Sequence, residues 1–224
     1  MEHIDVAVIG GGQSGLATAH ALLRHGLRSV VLEASDQTAG LWPQYYYSLT
    51  LFSPARYSSV TLATRGPVKC AAQRVLGRDL HWWLTRTGLD TAPLGRLLPR
   101  PPAQPVLDDG RYRAALAAGQ PDRRQVFTGA DGAKLVWPGG EREEVDAIVL
   151  ATGYRSDLPY LASLDGALDA EGNPRHREGI ATAVAGLAFV GLEWQRSLSS
   201  NSLRGVGRDA DRVARRLTAH LSRR

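Results

Sequence analysis

At 224 residues the chain is long enough for one sizeable domain, or for a domain and a fragment, and its 43% hydrophobic content suits a soluble globular protein. The formal charge of +5 and the pI near 9.7 come almost wholly from arginine, since Lys69 and Lys134 are the only lysines; the arginines are scattered and rarely interleave with aromatics, which argues for a solvated surface and against a nucleic-acid footprint. Cys70 stands alone, so neither an intrachain disulfide nor a C-x-x-C pair can form, and the six histidines show no ligand spacing, so no metal is expected. No leader is expected ahead of a strand that opens at Ile4, and the longest apolar stretch, Ala181 to Leu192, is too short to span a bilayer.

Ile4 to Ile9 is a short apolar run of strand type, followed by Gly10, Gly12 and Gly15 in the spacing G-x-G-x-x-G. From Leu16 the periodicity is helical, with Leu16, Ala19, Leu22 and Leu23 three and four apart. Ser29 to Leu32 is a second apolar run, closed by Glu33 at roughly the twenty-residue distance expected between such a fingerprint and its acid. Each part has a physical job. Gly10 permits the tight turn out of the strand, Gly12 lets a pyrophosphate approach the backbone, and Gly15 lets helix and strand pack closely. The helix start, with Gln13 and Ser14, offers N–H groups and a positive dipole end, and Glu33 can accept hydrogen bonds from a ribose diol. A glycine trio alone says little; strand, turn, helix, strand and acid in register predict dinucleotide binding. The serine of Gly-Gln-Ser-Gly lacks the G-x-S-x-G setting of a hydrolase nucleophile.

Residues 34–59 are polar and aromatic, broken by Pro43 and Pro54, and read as loop. Trp42 and Tyr45 to Tyr47 suit packing under a loop as well as ligand contact. Val60 to Ala63 is a further short strand, ending at Thr64 and Arg65. An arginine at a strand end suits a 2′-phosphate, yet nothing upstream supplies the glycine turn such a site needs, which favours a surface arginine. Helical spacing runs through Gln73 to Thr87, with Trp82 and Trp83 as core or interface residues. Gly95 to Leu107, with four prolines, reads as a linker or extended loop. Asp108 is a candidate N-cap for a helix through Ala118; Gln125 to Phe127 and Lys134 to Trp137, with the turn at Gly139-Gly140, read as a β-meander. Val145 to Leu150 is a buried-type strand leading into Ala151-Thr152-Gly153. Leu187 to Val190 is a last strand, ending at Gly191. Ser199 to Ser202 offer a cap for a final helix in which Val213, Leu217 and Leu221 recur every four residues.

The opening stretch, Gly40-Leu41-Trp42 after the acidic strand end, and SLTLFSPARYSS together resemble FAD-dependent oxidoreductases of the flavin-containing monooxygenase type, flavoproteins with two dinucleotide-binding domains. The resemblance implies that Gly10, Gly12 and Gly15 hold the FAD pyrophosphate and Glu33 the adenosine ribose. It sets Gly40, Leu41 and Trp42 near the flavin, and Thr64 and Arg65 at the close of an NADPH-domain strand. Ala151, Thr152 and Gly153 would form the crossover beside the cofactor, and Gly191 would precede a helix whose N-terminus lies near the flavin pyrimidine.

The chain departs from that family in having no second G-x-G-x-x-G and no F-x-G-x-x-x-H-x-x-x-W. It therefore resembles two family pieces joined near Ser59–Thr61, an internally shortened relative. The expected fold is α/β: a Rossmann-like doubly wound parallel sheet of the FAD/NAD(P)-binding type with a small β-meander crossover. Residues 1–60 are expected to form an FAD-binding βαβ unit, 61–155 a remnant of the NADPH domain, and 156–224 the segment closing the FAD domain. The implied function is an FAD-dependent NAD(P)H oxidoreductase, monooxygenase-like, oxidising a small molecule in the cytoplasm. Its cofactors would be FAD and NADPH. No catalytic side chain is identified, no membrane or nucleic-acid partner is expected, and a homo-oligomer is compatible with the pattern. The alternative is a non-catalytic FAD- or nucleotide-binding remnant without a working NADPH site.

Overall fold

The computed structural model describes residues 3–34, 61–97, 105–148 and 156–223. In chain order these form β1 (Val6–Ile9), α1 (Gln13–Arg24), β2 (Ser29–Leu32), β3 (Thr61–Thr64), β4 (Cys70–Ala72), β5 (Arg74–Val75), β6 (Arg78–Asp79), α2 (Leu80–Thr87), β7 (Val106–Asp108), α3 (Arg111–Ala117), β8 (Asp122–Gln125), β9 (Gly129–Asp131), β10 (Lys134–Val136), β11 (Arg142–Glu144), β12 (His176–Arg177), β13 (Ile180–Ala181) and α4 (Val206–Leu221). Two compact units result. One gathers Met1–Thr50, Leu84–Pro102 and Arg155–Arg224; the other gathers Leu51–Trp83 and Ala103–Tyr154.

In the first unit, β1 and β2 are parallel, in register Val6↔Ser29 through Ile9↔Leu32, with α1 as the crossover. The alternation of the strands puts Val6, Val8 and Val31 on the face that meets α1 and α4. The core joins Val8, Ala21 and Leu22 to Ala210, Val213, Ala214 and Leu217. The four-residue recurrence in α4 is thus a buried stripe, as its sequence predicts. α1 stops because Gly26 takes a left-handed conformation (φ 74°): its N–H donates to the Leu23 carbonyl, the Leu27 N–H donates to the Leu22 carbonyl, and Leu27 packs back on the core. His25, at the end of α1, meets Asp211 of α4 at 3.0 Å. A second cluster, Leu161, Ala167 and Phe189, lies beside the β12–β13 hairpin.

The second unit has two parallel pairs, β3 with β8 and β4 with β7, the β5–β6 hairpin, and the antiparallel meander β9–β10–β11. Leu135 and Trp137 are its buried apolar residues among those described. Asp108 caps α3 from just outside it: Oδ1 accepts the Gly110 and Tyr112 N–H groups and Oδ2 that of Arg113.

Several local expectations are corrected. The helix expected from Gln73 begins only at Leu80, because Leu76 and Gly77 take positive φ and fold Gln73 to Asp79 into a hairpin. Residues 145–148 carry no strand and are largely exposed; 187–190 contribute only an isolated bridge, Ile180↔Ala188, and the apolarity of Leu187 to Val190 reflects packing in the two core clusters and not a ladder. The five expected strands do not close one sheet among the described residues: β1 pairs with β2, and β3 with β8. The serines at 199–202 form a turn ahead of α4, whose N-cap is Gly205. The loop 35–59 lies outside the described residues.

Candidate dinucleotide site

The fingerprint glycines resolve into three different geometries. Gly10 sits at φ 100° where the chain leaves β1, and its N–H extends the ladder to the Leu32 carbonyl at 2.7 Å. A Cβ on Gly15 would lie 1.8 Å from the Gly10 carbonyl oxygen, so α1 can begin this close to the strand only with glycine there. A Cβ on Gly12 would meet nothing within 4 Å. Its bare backbone, the N-cap of α1, faces space that the protein does not use. Glu33 accepts a hydrogen bond from the Gly11 N–H, which joins the acid at the end of β2 to the glycine loop.

The C-terminal segment completes the site. Gly191 (φ 92°) packs so closely on α1 that a Cβ would fall 2.0 Å from the Ser14 hydroxyl. The Gln13 amide donates to the Asn201 carbonyl at 3.0 Å. Residues 191–205 are thereby laid over the first turn of α1. A cleft of about 440 Å³ opens there, lined by Gly11, Gly12, Gln13, Leu16, Ala17, Leu203, Val206 and Gly207. Two helices begin at this cleft, α1 at Gly12 and α4 at Gly205, and neither has a side-chain cap. In α4 the Val206 and Arg208 N–H groups already donate to the Ser202 and Gly205 carbonyls, so the backbone donors left for water or an anionic ligand lie mainly in the first turn of α1, while both dipole ends favour negative charge. A pyrophosphate fits this donor set, with glycine at the points of closest approach.

Buried polar groups fix the loop that carries α4. Arg196 Nε donates to Asp209 Oδ1 at 2.7 Å, and its guanidinium also reaches the Thr91 carbonyl. Arg204 forks onto Asp90, whose side chain is 1% exposed. The Ser199 hydroxyl donates to the Asp90 carbonyl, and the Gly95 N–H to the Arg196 carbonyl, at 2.8 Å each. The second Asp209 oxygen, Oδ2, is buried without a protein partner, as are Trp194 Nε1 and Gln195 Nε2. Sequence reasoning did not single out Asp90, Arg196, Arg204 or Asp209; only the aspartate early in α4 carries a local signal, as an acid in a first turn.

Of the residues expected at the site, Gly10, Gly12, Gln13, Ser14, Gly15, Glu33 and Gly191 come together in the first unit. Thr64 and Arg65 close β3 in the second unit, where the Thr64 carbonyl accepts the Val126 N–H at 3.0 Å. Gly40, Leu41, Trp42, Ala151, Thr152 and Gly153 lie outside the described residues. Leu203, Val206 and Gly207 are lining residues that periodicity alone does not reveal.

Comparison with known proteins agrees with this geometry. Residues 5–97 match the family model described as FAD dependent oxidoreductase. An uncharacterized oxidoreductase CzcO of Bacillus velezensis is 29% identical over 62% of this chain and 41% of its own. The indole-3-pyruvate monooxygenase YUCCA1 of Oryza sativa subsp. japonica is 29% identical over 69% of this chain and 37% of its own. YUCCA8 of the indica subspecies is 27% identical over 93% and 49%. A flavin monooxygenase variant from Stenotrophomonas maltophilia has the same fold, with a TM-score of 0.64 and 21% identity over 99% of this chain and 100% of that one. The chain is similar to FAD-dependent oxidoreductases over residues 5–97 and has a Rossmann-type α/β fold shared with a flavin monooxygenase. It spans less than half the length of the curated relatives it matches.

Proposed function

We propose that this chain binds FAD in the cleft between α1 and α4 and serves as a monooxygenase-like oxidoreductase module acting on a small molecule. The observation that carries the reading is the pairing of two uncapped helix N-termini at one cleft, beside a Gly12 with open space in front of it. The backbone N–H groups at the start of α1 would hold the pyrophosphate, with the positive dipole end of α4 facing the same cleft. Glu33, already beside Gly11, would take the adenosine ribose. Gly40 to Trp42 and Ala151 to Gly153 are proposed for the flavin side on the family resemblance. A bound flavin would supply the hydride and oxygen chemistry, with NADPH as hydride donor. Residues 1–60 and 156–224 would then form the FAD-binding part and 61–155 the NADPH-domain remnant, in a cytoplasmic protein.

A second reading has one specific support. The 224 residues contain a single glycine fingerprint, so a nucleotide-binding remnant without a working NADPH site is the alternative. Absorbance of the purified, FAD-reconstituted protein and calorimetric titration with FAD and NAD test the first reading. We expect oxidised-flavin bands retained through gel filtration and tighter binding of FAD. Equal or tighter binding of NAD would count against an FAD site.

A further inference from the structure

The β5–β6 hairpin turns through Leu76 (φ 48°) and Gly77 (φ 75°), both left-handed. A two-residue turn of this kind prefers asparagine, aspartate or glycine at its first position, and a leucine there is strained. No packing against the described residues explains it. The Leu76 side chain is 86% exposed, the most exposed large apolar residue described. The tip is nonetheless held firmly. The Trp83 indole N–H donates to the Val75 carbonyl at 2.8 Å, and the Leu80 N–H to the Gln73 carbonyl at 2.8 Å. Beside the tip, Val75 is 40% and Trp82 42% exposed, and the Arg78 guanidinium lies 5.2 Å from the Trp82 ring centre.

Basic charge predominates in the segment that carries this apolar tip, although Asp79 is the register partner of Arg74 and the Asp108 carbonyl accepts the Gln73 N–H at the hairpin's base. From Thr61 to Trp83 the ionic residues are Arg65, Lys69, Arg74 and Arg78 against Asp79 alone. Asp79 is engaged locally, accepting the His81 N–H at 2.8 Å. Among the described residues no ion pair holds Arg65, Lys69, Arg74 or Arg78. A second copy of the chain docked tip to tip would oppose Arg74 and Arg78 to their own images, which disfavours a self-association surface.

We propose that the β5–β6 hairpin docks the chain on an anionic lipid surface. Leu76 and Val75 enter the boundary of the acyl chains, Trp82 rests at headgroup level, and Arg74 and Arg78 meet lipid phosphates. This departs from the sequence expectation of no membrane partner. It concerns a peripheral contact, for no helix among the described residues is long and apolar enough to cross a membrane.

The test is co-sedimentation of the full chain with phosphatidylcholine vesicles, with and without phosphatidylglycerol. We expect binding only to the anionic vesicles. Leu76→Asn should weaken it about ten-fold, and Arg74→Gln with Arg78→Gln about five-fold per arginine. Leu76→Asn should also melt no lower than the parent, because asparagine tolerates the left-handed turn; weakened binding by a protein at least as stable separates loss of contact from loss of fold. Absence of binding to anionic vesicles, or binding unchanged in both variants, would overturn the proposal. So would a concentration-dependent dimer abolished by Leu76→Asn, which would assign the tip to a protein interface.

Discussion

Gly12 and Gly15 separate two reasons for glycine within one motif. At Gly12 an added Cβ meets no protein atom within 4 Å, while at Gly15 it meets the Gly10 carbonyl oxygen at 1.8 Å. Gly12→Val should therefore abolish FAD binding and leave the melting temperature within a few degrees of the parent. Gly15→Ala should destabilise the fold itself, by about 1–3 kcal/mol or more, as forced overpacking does. Thermal melts with calorimetry on both variants check the contrast; unchanged FAD affinity in Gly12→Val would remove the glycine loop from the phosphate site. Glu33 has a second task besides the proposed ribose contact, since it accepts the Gly11 N–H. Glu33→Ala should weaken FAD binding by about 1.5–3 kcal/mol, the range for hydrogen bonds to a charged group. A change of a few tenths would show that the carboxylate does not meet the ligand.

Among the elements, the β12–β13 hairpin has a built-in acid sensitivity. The His176 ring sits 6.3 Å from the Phe189 ring, and its Nδ1 accepts the Gly179 N–H at 3.2 Å, which requires an unprotonated Nδ1. Burial pushes the His176 pKa below the ordinary histidine value of 6.5. As the pH falls, the unfolded chain therefore takes up its proton before the folded one. The contribution of this group is complete above pH 6.5 and is lost as the pH falls through the lowered folded value. Thermal melts from pH 7.5 downward should show a decline that His176→Gln reduces. An identical decline in the variant would assign the acid sensitivity to other groups. The Asp211 carboxyl is held below its usual range by its hydrogen bond to His25, so the contribution of this carboxylate to the link between α1 and α4 is lost only below the ordinary carboxylate range.

For the whole molecule, the proposed activity is limited by what binds the hydride donor. A complete NADPH site has its own glycine turn feeding a helix N-terminus. This chain has only Thr64 and Arg65 from the strand-end pair that would read the 2′-phosphate. A hydroxyl and a guanidinium supply only a few kcal/mol, against about 8 kcal/mol for a micromolar site. Anaerobic stopped-flow reduction of the FAD-reconstituted protein should accordingly be slow and show little advantage of NADPH over NADH. Fast, saturable reduction with strong NADPH preference would show that residues 61–153 build a donor pocket by other means.

Local chemistry was enough to read β1, α1, β2 and the acid that ends them, because each job depends on the nearest few residues. A turn needs positive φ, a close approach needs a missing Cβ, and a buried helix face needs a 3.6-residue period. The stripe of α4 and the capping role of Asp108 follow from the same short-range rules. What the sequence could not supply was partnership between distant segments. Val145–Ile148 and Leu187–Val190 are apolar enough for strands, yet whether an apolar run joins a ladder or a cluster depends on what lies beside it. The Gln73–Asp79 hairpin overrode helical periodicity through backbone angles at Leu76 and Gly77. Only tertiary structure brought Asn201 to Gln13, Gly191 against Ser14, and Asp90 and Asp209 to Arg204 and Arg196. Only it set the start of α4 at the cleft that α1 opens, because burying charge and sharing a ligand space are long-range agreements that no local spacing records.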